Sequence, residues 1–195
     1  MKIYLIRHGE TTGDIEDRFG GDYEDHLTEK GREQAKELGA YLKDKNIEII
    51  FHSPRIRAVE TAGIVSNITG FPLQEIHDFR ERNNYGILTG LTKSEGKEKF
   101  PLEVAKLEKD RTYHDVRDSE SYENLKTRVL QAFENISHTP HAIIGIITHG
   151  GVIGSIAREI FGHNKIKVED CGIIEIDYDG NTHKIISLKG VEIGV

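Results

Sequence analysis

The stretch KIYLIRHGETTGD, residues 2–14, decides how the chain is read. Ile3, Tyr4, Leu5 and Ile6 form an unbroken apolar run of strand length. That is the pattern of a strand buried on both faces, as in a parallel sheet covered by helices. The run ends on Arg7 and His8, followed by Gly9. Ligands of open α/β sheets bind beyond the carboxyl ends of the parallel strands. A buried strand that delivers an arginine and a histidine to that end raises the question of what the other strands deliver there.

Two further apolar runs answer it. Residues 47–51 lead into His52, Ser53, Pro54, Arg55, Ile56 and Arg57, and residues 143–147 lead into Thr148, His149, Gly150 and Gly151. Helical patterns lie between the runs. Thr28 is placed to cap a helix with Ala35, Leu38 and Leu42 on one face. A second helix starts near Pro54 and carries Ala58, Ala62 and Val65; a third starts near Ser119 and shows Leu125, Val129, Phe133 and Ile136. A fourth follows the paired glycines through Val152, Ile156 and Ile160. Alternation of this kind predicts an α/β fold, a three-layer α/β/α sandwich with a mostly parallel central sheet. Residues 173–178 and 184–188 flank the turn signal Asp179-Gly180-Asn181, which predicts an antiparallel C-terminal hairpin at the sheet edge. No linker or repeat divides the chain, so residues 1–195 read as a single domain. Residues 80–118, charge-dense after their first glycine, read as an insertion over the strand ends with a solvated face.

Composition bounds the function. A net charge of −7, with 36% hydrophobic and 30% charged residues, describes an ordinary globular protein. The acidic balance argues against a nucleic-acid partner, although a local arginine pocket can still hold a small anion. The one cysteine, Cys171, excludes an intrachain disulfide and reads as a buried small apolar residue. The N-terminal apolar run is cut by Arg7 and His8, so no signal peptide is expected, and no 18-residue apolar run predicts a membrane span. A cytoplasmic location is the default expectation.

The strand ends carry an inventory that suits a phosphoryl group. Arginine forks bind phosphate oxygens bidentately and stay charged. Helix N-termini add N–H donors and partial positive charge. A glycine after each histidine allows close approach of backbone to an anion. A histidine in that field can act as a nucleophile, and arginines can spread the charge of the transferring group without a metal.

These residues, taken in order, resemble the histidine phosphatase superfamily, the phosphoglycerate mutase-like proteins, over nearly the whole chain. Arg7-His8-Gly9-Glu10-Thr11 is similar to the family signature at the end of its first strand. HLTEKGREQA resembles its first helix, SPRIRAVETA its Ser-x-x-x-Arg-Ala-x-x-Thr segment, SESYENLKTRV the start of a later helix, and THGG its second histidine turn. The resemblance implies a phosphoglycerate mutase-like fold. It implies His8 as nucleophile, with Arg7, Arg57, His149 and Gly150 binding the phosphate. It implies Glu81 as proton donor to the leaving oxygen and later base toward water. Thr11, Asp14, Gly20, Gly21, Tyr85 and Lys93 become candidate substrate contacts.

Three departures qualify the pattern. Asp14 stands where many family members carry asparagine, and is expected to be oriented by a neighbouring N–H or cation. Gly86 follows Glu81 by five residues, one more than the common spacing. Tyr85 and Lys93 match a mutase segment, but Arg111 stands alone where mutases have two adjacent arginines. The resulting expectation is a phosphomonoester hydrolase working through a phosphohistidine on a small phosphorylated metabolite, with no cofactor. The alternative is a phosphoglycerate mutase dependent on 2,3-bisphosphoglycerate. A non-catalytic phosphoester-binding module is a third reading. A metal-dependent hydrolase using His8, His149 and Asp14 is disfavoured, because arginine at the centre would repel a cation and no zinc-type histidine spacing is present.

Overall fold

The structure is a computed structural model and describes residues 1–109 and 116–194. The chain runs through β1 (Lys2–Arg7), α1 (Thr12–Ile15), α2 (Glu29–Leu42), β2 (Ile49–His52), α3 (Ile56–Thr69) and β3 (Leu73–Glu75). It continues through α4 (Lys93–Lys99), α5 (Pro101–Lys109), α6 (Tyr122–Ser137), β4 (Ile143–Thr148), α7 (Gly150–Phe161), β5 (Ile166–Tyr178) and β6 (His183–Ile193). The strands form one sheet in the order β3-β2-β4-β1-β5-β6. β1, β2, β3 and β4 are mutually parallel, and β5 and β6 run antiparallel.

The apolar run that opened the chain explains the layers. Successive strand residues point to opposite faces. Ile3 and Leu5 enter a core with Val129, Phe133 and Ile156 of α6 and α7. Tyr4 and Ile6 enter the opposite core with Leu38, Leu42, Ala58 and Val65 of α2 and α3. Both faces are therefore covered, which is why the run shows no polar alternation. Each fully buried Ile or Leu contributes about 1.5–3 kcal/mol, so the centre of the sheet is rigid where its ends must be. Register keeps those ends level: Arg7 pairs with Thr148, and His52 with Ile147. The ladders run one residue further, as His8 N donates to Thr148 O at 3.0 Å and Ser53 N to Ile147 O at 3.0 Å.

Several boundaries differ from the sequence expectation. β5 begins at Ile166 and β6 ends at Ile193, so the hairpin is longer than residues 173–188. Its first half alternates with charged residues, and the ladder shifts register between Val168 and Ile173, with Cys171 at a φ of 55°. The third helix starts at Tyr122, capped by Ser121, whose side chain accepts from Asn124 N. β3 has three exposed residues and α1 is a single turn, so neither left a periodic signature. Within residues 80–118, Leu88, Val104, Leu107 and Val116 form a third small cluster with Phe19. Arg111 lies outside the described residues. Among the described residues no helix is long and apolar enough to cross a membrane.

Candidate active site

His8 follows the end of β1 and is 6% exposed. Its Nδ1 lies 2.8 Å from the Gly9 carbonyl oxygen, which can only accept, so Nδ1 carries the proton and Nε2 the lone pair. Arg57, from the first turn of α3, donates Nε–H to that Nε2 at 3.2 Å. Burial, then the charges of Arg57 and Arg7, hold the His8 pKa well below the ordinary histidine range. The ring is neutral at neutral pH, with its lone pair facing a cation.

Gly9 is fixed by packing. A Cβ there would fall 2.6 Å from the Gly31 carbonyl oxygen in the first turn of α2. The glycine after the histidine thus lets the N-terminus of α2 close onto the strand end. Gly9 N also donates to Thr61 Oγ1 of α3 at 3.2 Å.

His149 precedes α7 and is fully buried. Its ring centroid lies 5.1 Å from that of His8. The same Arg57 Nε–H reaches His149 Nδ1 at 3.2 Å, so Nε2 bears the proton and donates to Ser53 Oγ at 2.6 Å. Burial, then Arg57 and His8, push its pKa well below the usual value as well. Arg57 is in turn held by Asp25 at 2.6 Å and by the carbonyls of Tyr23 and Gly21 at 2.9 and 2.8 Å. That ion pair is buried on both sides, with 4% and 7% side-chain exposure. Arg7 is oriented by the Val168 carbonyl at 2.8 Å and by Asp170 at 3.2 Å.

These groups border a cavity of about 590 Å³ at the strand ends. Arg7, His8, Arg57, Glu81 and Gly150 all line it, as do Thr11, Asp14, Gly20, Gly21 and Tyr85. His149 lies behind the lining and meets the cavity through Arg57. Lys93 is also off the lining: its Nζ donates to the Arg18 carbonyl at 3.1 Å and sits 3.9 Å over the Phe19 ring. Of the described residues in 80–118, Glu81, Arg82, Asn84 and Tyr85 reach the cavity.

The Glu81 carboxylate accepts from Arg82 N at 2.7 Å and from Gly151 N, in the first turn of α7, at 3.0 Å. A Cβ on Gly151 would collide with that carboxylate. Asp14 Oδ2 accepts from the Thr11 N–H and hydroxyl, each at 2.9 Å, while Asp14 N donates back to Thr11 Oγ1 at 3.3 Å. It is the third residue of a reciprocal cap on α1, so a neighbouring N–H does orient it.

Sequence reading missed Asp25, Tyr23, Ser53 and Gly151. Asp25 sits 32 residues from its partner Arg57, among acidic neighbours that look like surface. Gly151 left a signal, the doubled glycine at a helix start. Among the described residues no group of three or more His, Cys, Asp or Glu is placed to hold a metal ion.

Comparison with known proteins identifies the family. The family model described as the histidine phosphatase superfamily (branch 1) matches residues 3–189. The chain is 31% identical over 161 residues to a Bacillus subtilis protein named uncharacterized phosphatase PhoE, covering 82% of this chain and 77% of that one. It is 28% identical over 190 residues to the probable phosphoglycerate mutase GpmB of Escherichia coli, covering 91% and 85%. Among solved structures, Bacillus stearothermophilus YhfR superposes with a TM-score of 0.86 at 26% identity, covering 97% of this chain and 96% of that one.

Proposed function

The chain belongs to the histidine phosphatase superfamily, and from that premise we propose that it is a phosphomonoester hydrolase acting through a phosphohistidine on a small phosphorylated metabolite. The observation that carries the reading is the state of His8: neutral, fixed in one tautomer by Gly9, with Nε2 facing Arg57 at the cavity wall.

In the first step the Nε2 lone pair of His8 attacks phosphorus. The N–P bond forms as the bond from phosphorus to the ester oxygen breaks, and Glu81 gives its proton to the departing alcohol. In the second step water attacks phosphorus, Glu81 takes its proton, and the N–P bond breaks to return neutral His8 and inorganic phosphate. Arg7 and Arg57 hold the non-bridging oxygens through charge that builds in the transition state. Once phosphorylated at Nε2 the ring is cationic, which strengthens the donation of its Nδ1–H to the Gly9 carbonyl. No step needs a metal or an organic cofactor.

The reading is tested by a phosphomonoester panel, including p-nitrophenyl phosphate, with wild type and His8→Ala in excess chelator. Phosphate release by the wild type, abolished in His8→Ala, is expected. Substantial turnover by His8→Ala would overturn the mechanism.

A second reading, a mutase dependent on 2,3-bisphosphoglycerate, is favoured by the GpmB likeness and by Tyr85 on the cavity wall. Incubation with 3-phosphoglycerate and catalytic 2,3-bisphosphoglycerate separates the two. Rapid formation of 2-phosphoglycerate with little free phosphate would select the mutase.

A further inference from the structure

One wall of the cavity carries two cations that make no salt bridge among the described residues. Of the arginines on the lining, Arg7 pairs with Asp170, Arg18 with Glu16 and Arg57 with Asp25. Arg158 of α7 and Arg82 make no ion pair among the described residues. Arg82 Nε donates only to the Glu120 carbonyl, at 3.0 Å. Both guanidinium groups instead lie near the ring of Tyr122, at 4.8 Å for Arg158 and 5.9 Å for Arg82. The charges of Glu120 and Glu81 act on Arg82 without a salt bridge, so both guanidinium groups keep donors for an anion in the cavity.

Ser155 supplies an independent observation. It lines the same cavity, is 1% exposed, and its hydroxyl has no hydrogen-bond partner. Buried hydroxyls are normally paired, so one without a partner beside a cavity points to a ligand that completes it. Gly151, Ser155 and Arg158 follow one another at i, i+4 and i+7, which places them on one face of α7. Arg158 is nine residues beyond His149, about 13 Å along the helix axis. Long helical side chains lean back toward the N-terminus, so its guanidinium approaches the phosphate end of the cavity without reaching it.

We propose that Arg158, with Arg82 across Tyr122 and with the Ser155 hydroxyl, forms a second anion subsite. It selects phosphomonoesters that carry another anionic group, a carboxylate or a second phosphate, several bonds from the phosphorus attacked. An arginine fork already held over an aromatic ring is pre-oriented for a planar or tetrahedral oxyanion. Arg158 is a specificity residue here, remote from the bond that breaks. The inference rests on the cavity being the phosphoester site of the proposed function.

The test uses two matched pairs that differ by one anion: glycerol 1-phosphate against 3-phosphoglycerate, and fructose 6-phosphate against fructose 1,6-bisphosphate. The readout is the ratio of kcat/KM within each pair for wild type, Arg158→Ala and Arg158→Lys. Wild type is expected to favour the doubly anionic member at least tenfold in one pair, and which pair responds tells carboxylate from phosphate. Arg158→Ala should lower that ratio tenfold or more, and Arg158→Lys should recover part of it. No preference in the wild type, or a ratio unmoved in Arg158→Ala, overturns the subsite while leaving the phosphatase reading intact. If the wild type hydrolyses none of the four compounds, nor p-nitrophenyl phosphate, that reading fails instead. Calorimetric titration of the same four compounds then decides the subsite. Selective weakening of the doubly anionic members by Arg158→Ala supports it, and equal or absent weakening overturns it.

Discussion

Arg57 Nε lies 3.2 Å from Nε2 of His8, so the donor aimed at that lone pair is one that never loses its charge. The same N–H lies 3.2 Å from Nδ1 of His149. One guanidinium thus faces the lone pair of both rings, and in the proposed function it holds the phosphoryl oxygens. A lysine cannot reproduce this, because its point charge offers neither the fork nor the fixed angle. Arg57→Lys is expected to lower kcat/KM on p-nitrophenyl phosphate by about 10²–10³-fold, the usual loss for a preorganised transition-state donor. Steady-state kinetics, with circular dichroism to confirm folding, checks this; a loss under tenfold would mean that Arg57 is not the phosphate clamp.

Asp25 neutralises Arg57 inside the protein, and it belongs to stability more than to chemistry. Removing one partner of a buried ion pair leaves the other charge desolvated and alone, at a cost of about 3–5 kcal/mol. Asp25→Ala should therefore lower the unfolding free energy from equilibrium urea melts by that amount. A change below 1 kcal/mol would show that water or Tyr23 satisfies Arg57 unaided.

The two depressed histidines make a signed prediction about pH. Both rings have native pKa values well below 6.5. Below pH 6.5 the unfolded chain takes up protons at these positions and the native protein does not, so folding loses stability as pH falls. By linkage, both rings then contribute a loss of stability between pH 7 and pH 5.5. Urea melts at the two pH values should show that loss in the wild type in excess of the loss in His8→Gln/His149→Gln. Equal losses would mean the rings titrate alike in both states.

Much of this was legible in the chain because its causes are local. Ile3–Ile6 sits between two helical layers and so reads as a buried run, and Arg7 and His8 follow by chain continuity. Thr28 caps α2 as its position suggests, accepting from Gly31 N. What stayed hidden is set by long-range contact. Asp25 reaches Arg57 across 32 residues, and Ser53 reaches His149 across 96. Nothing near Asp25 distinguishes it from Asp22 or Glu24, which pair with Arg55 instead. The strand β3 lacks any buried residue, so its pairing with β2 has no pattern to announce it. Lys93 entered by resemblance to a mutase segment; at the start of α4 its ammonium lies over the Phe19 ring and 5.3 Å from that of Tyr85, off the cavity lining.

Glu81 is held by two backbone N–H groups, one of them from Gly151 in α7. If it protonates the leaving oxygen, its importance must scale with how poor that leaving group is. Glu81→Gln should lower kcat at least tenfold more for an alkyl phosphate than for p-nitrophenyl phosphate, whose phenolate needs no proton. Gly151→Ala, which crowds the same carboxylate, should show the same leaving-group dependence in milder form. Equal losses on both substrates would reassign Glu81 to binding.

The central claim is that His8 carries the phosphoryl group. Wild type mixed with a 32P-labelled phosphomonoester and quenched within the first turnover should yield protein-bound label that survives alkali, is released by acid and maps to the peptide containing His8. His8→Ala should acquire none. Turnover without labelled protein in a quench fast enough to catch the first cycle, or label on any other residue, would contradict the account.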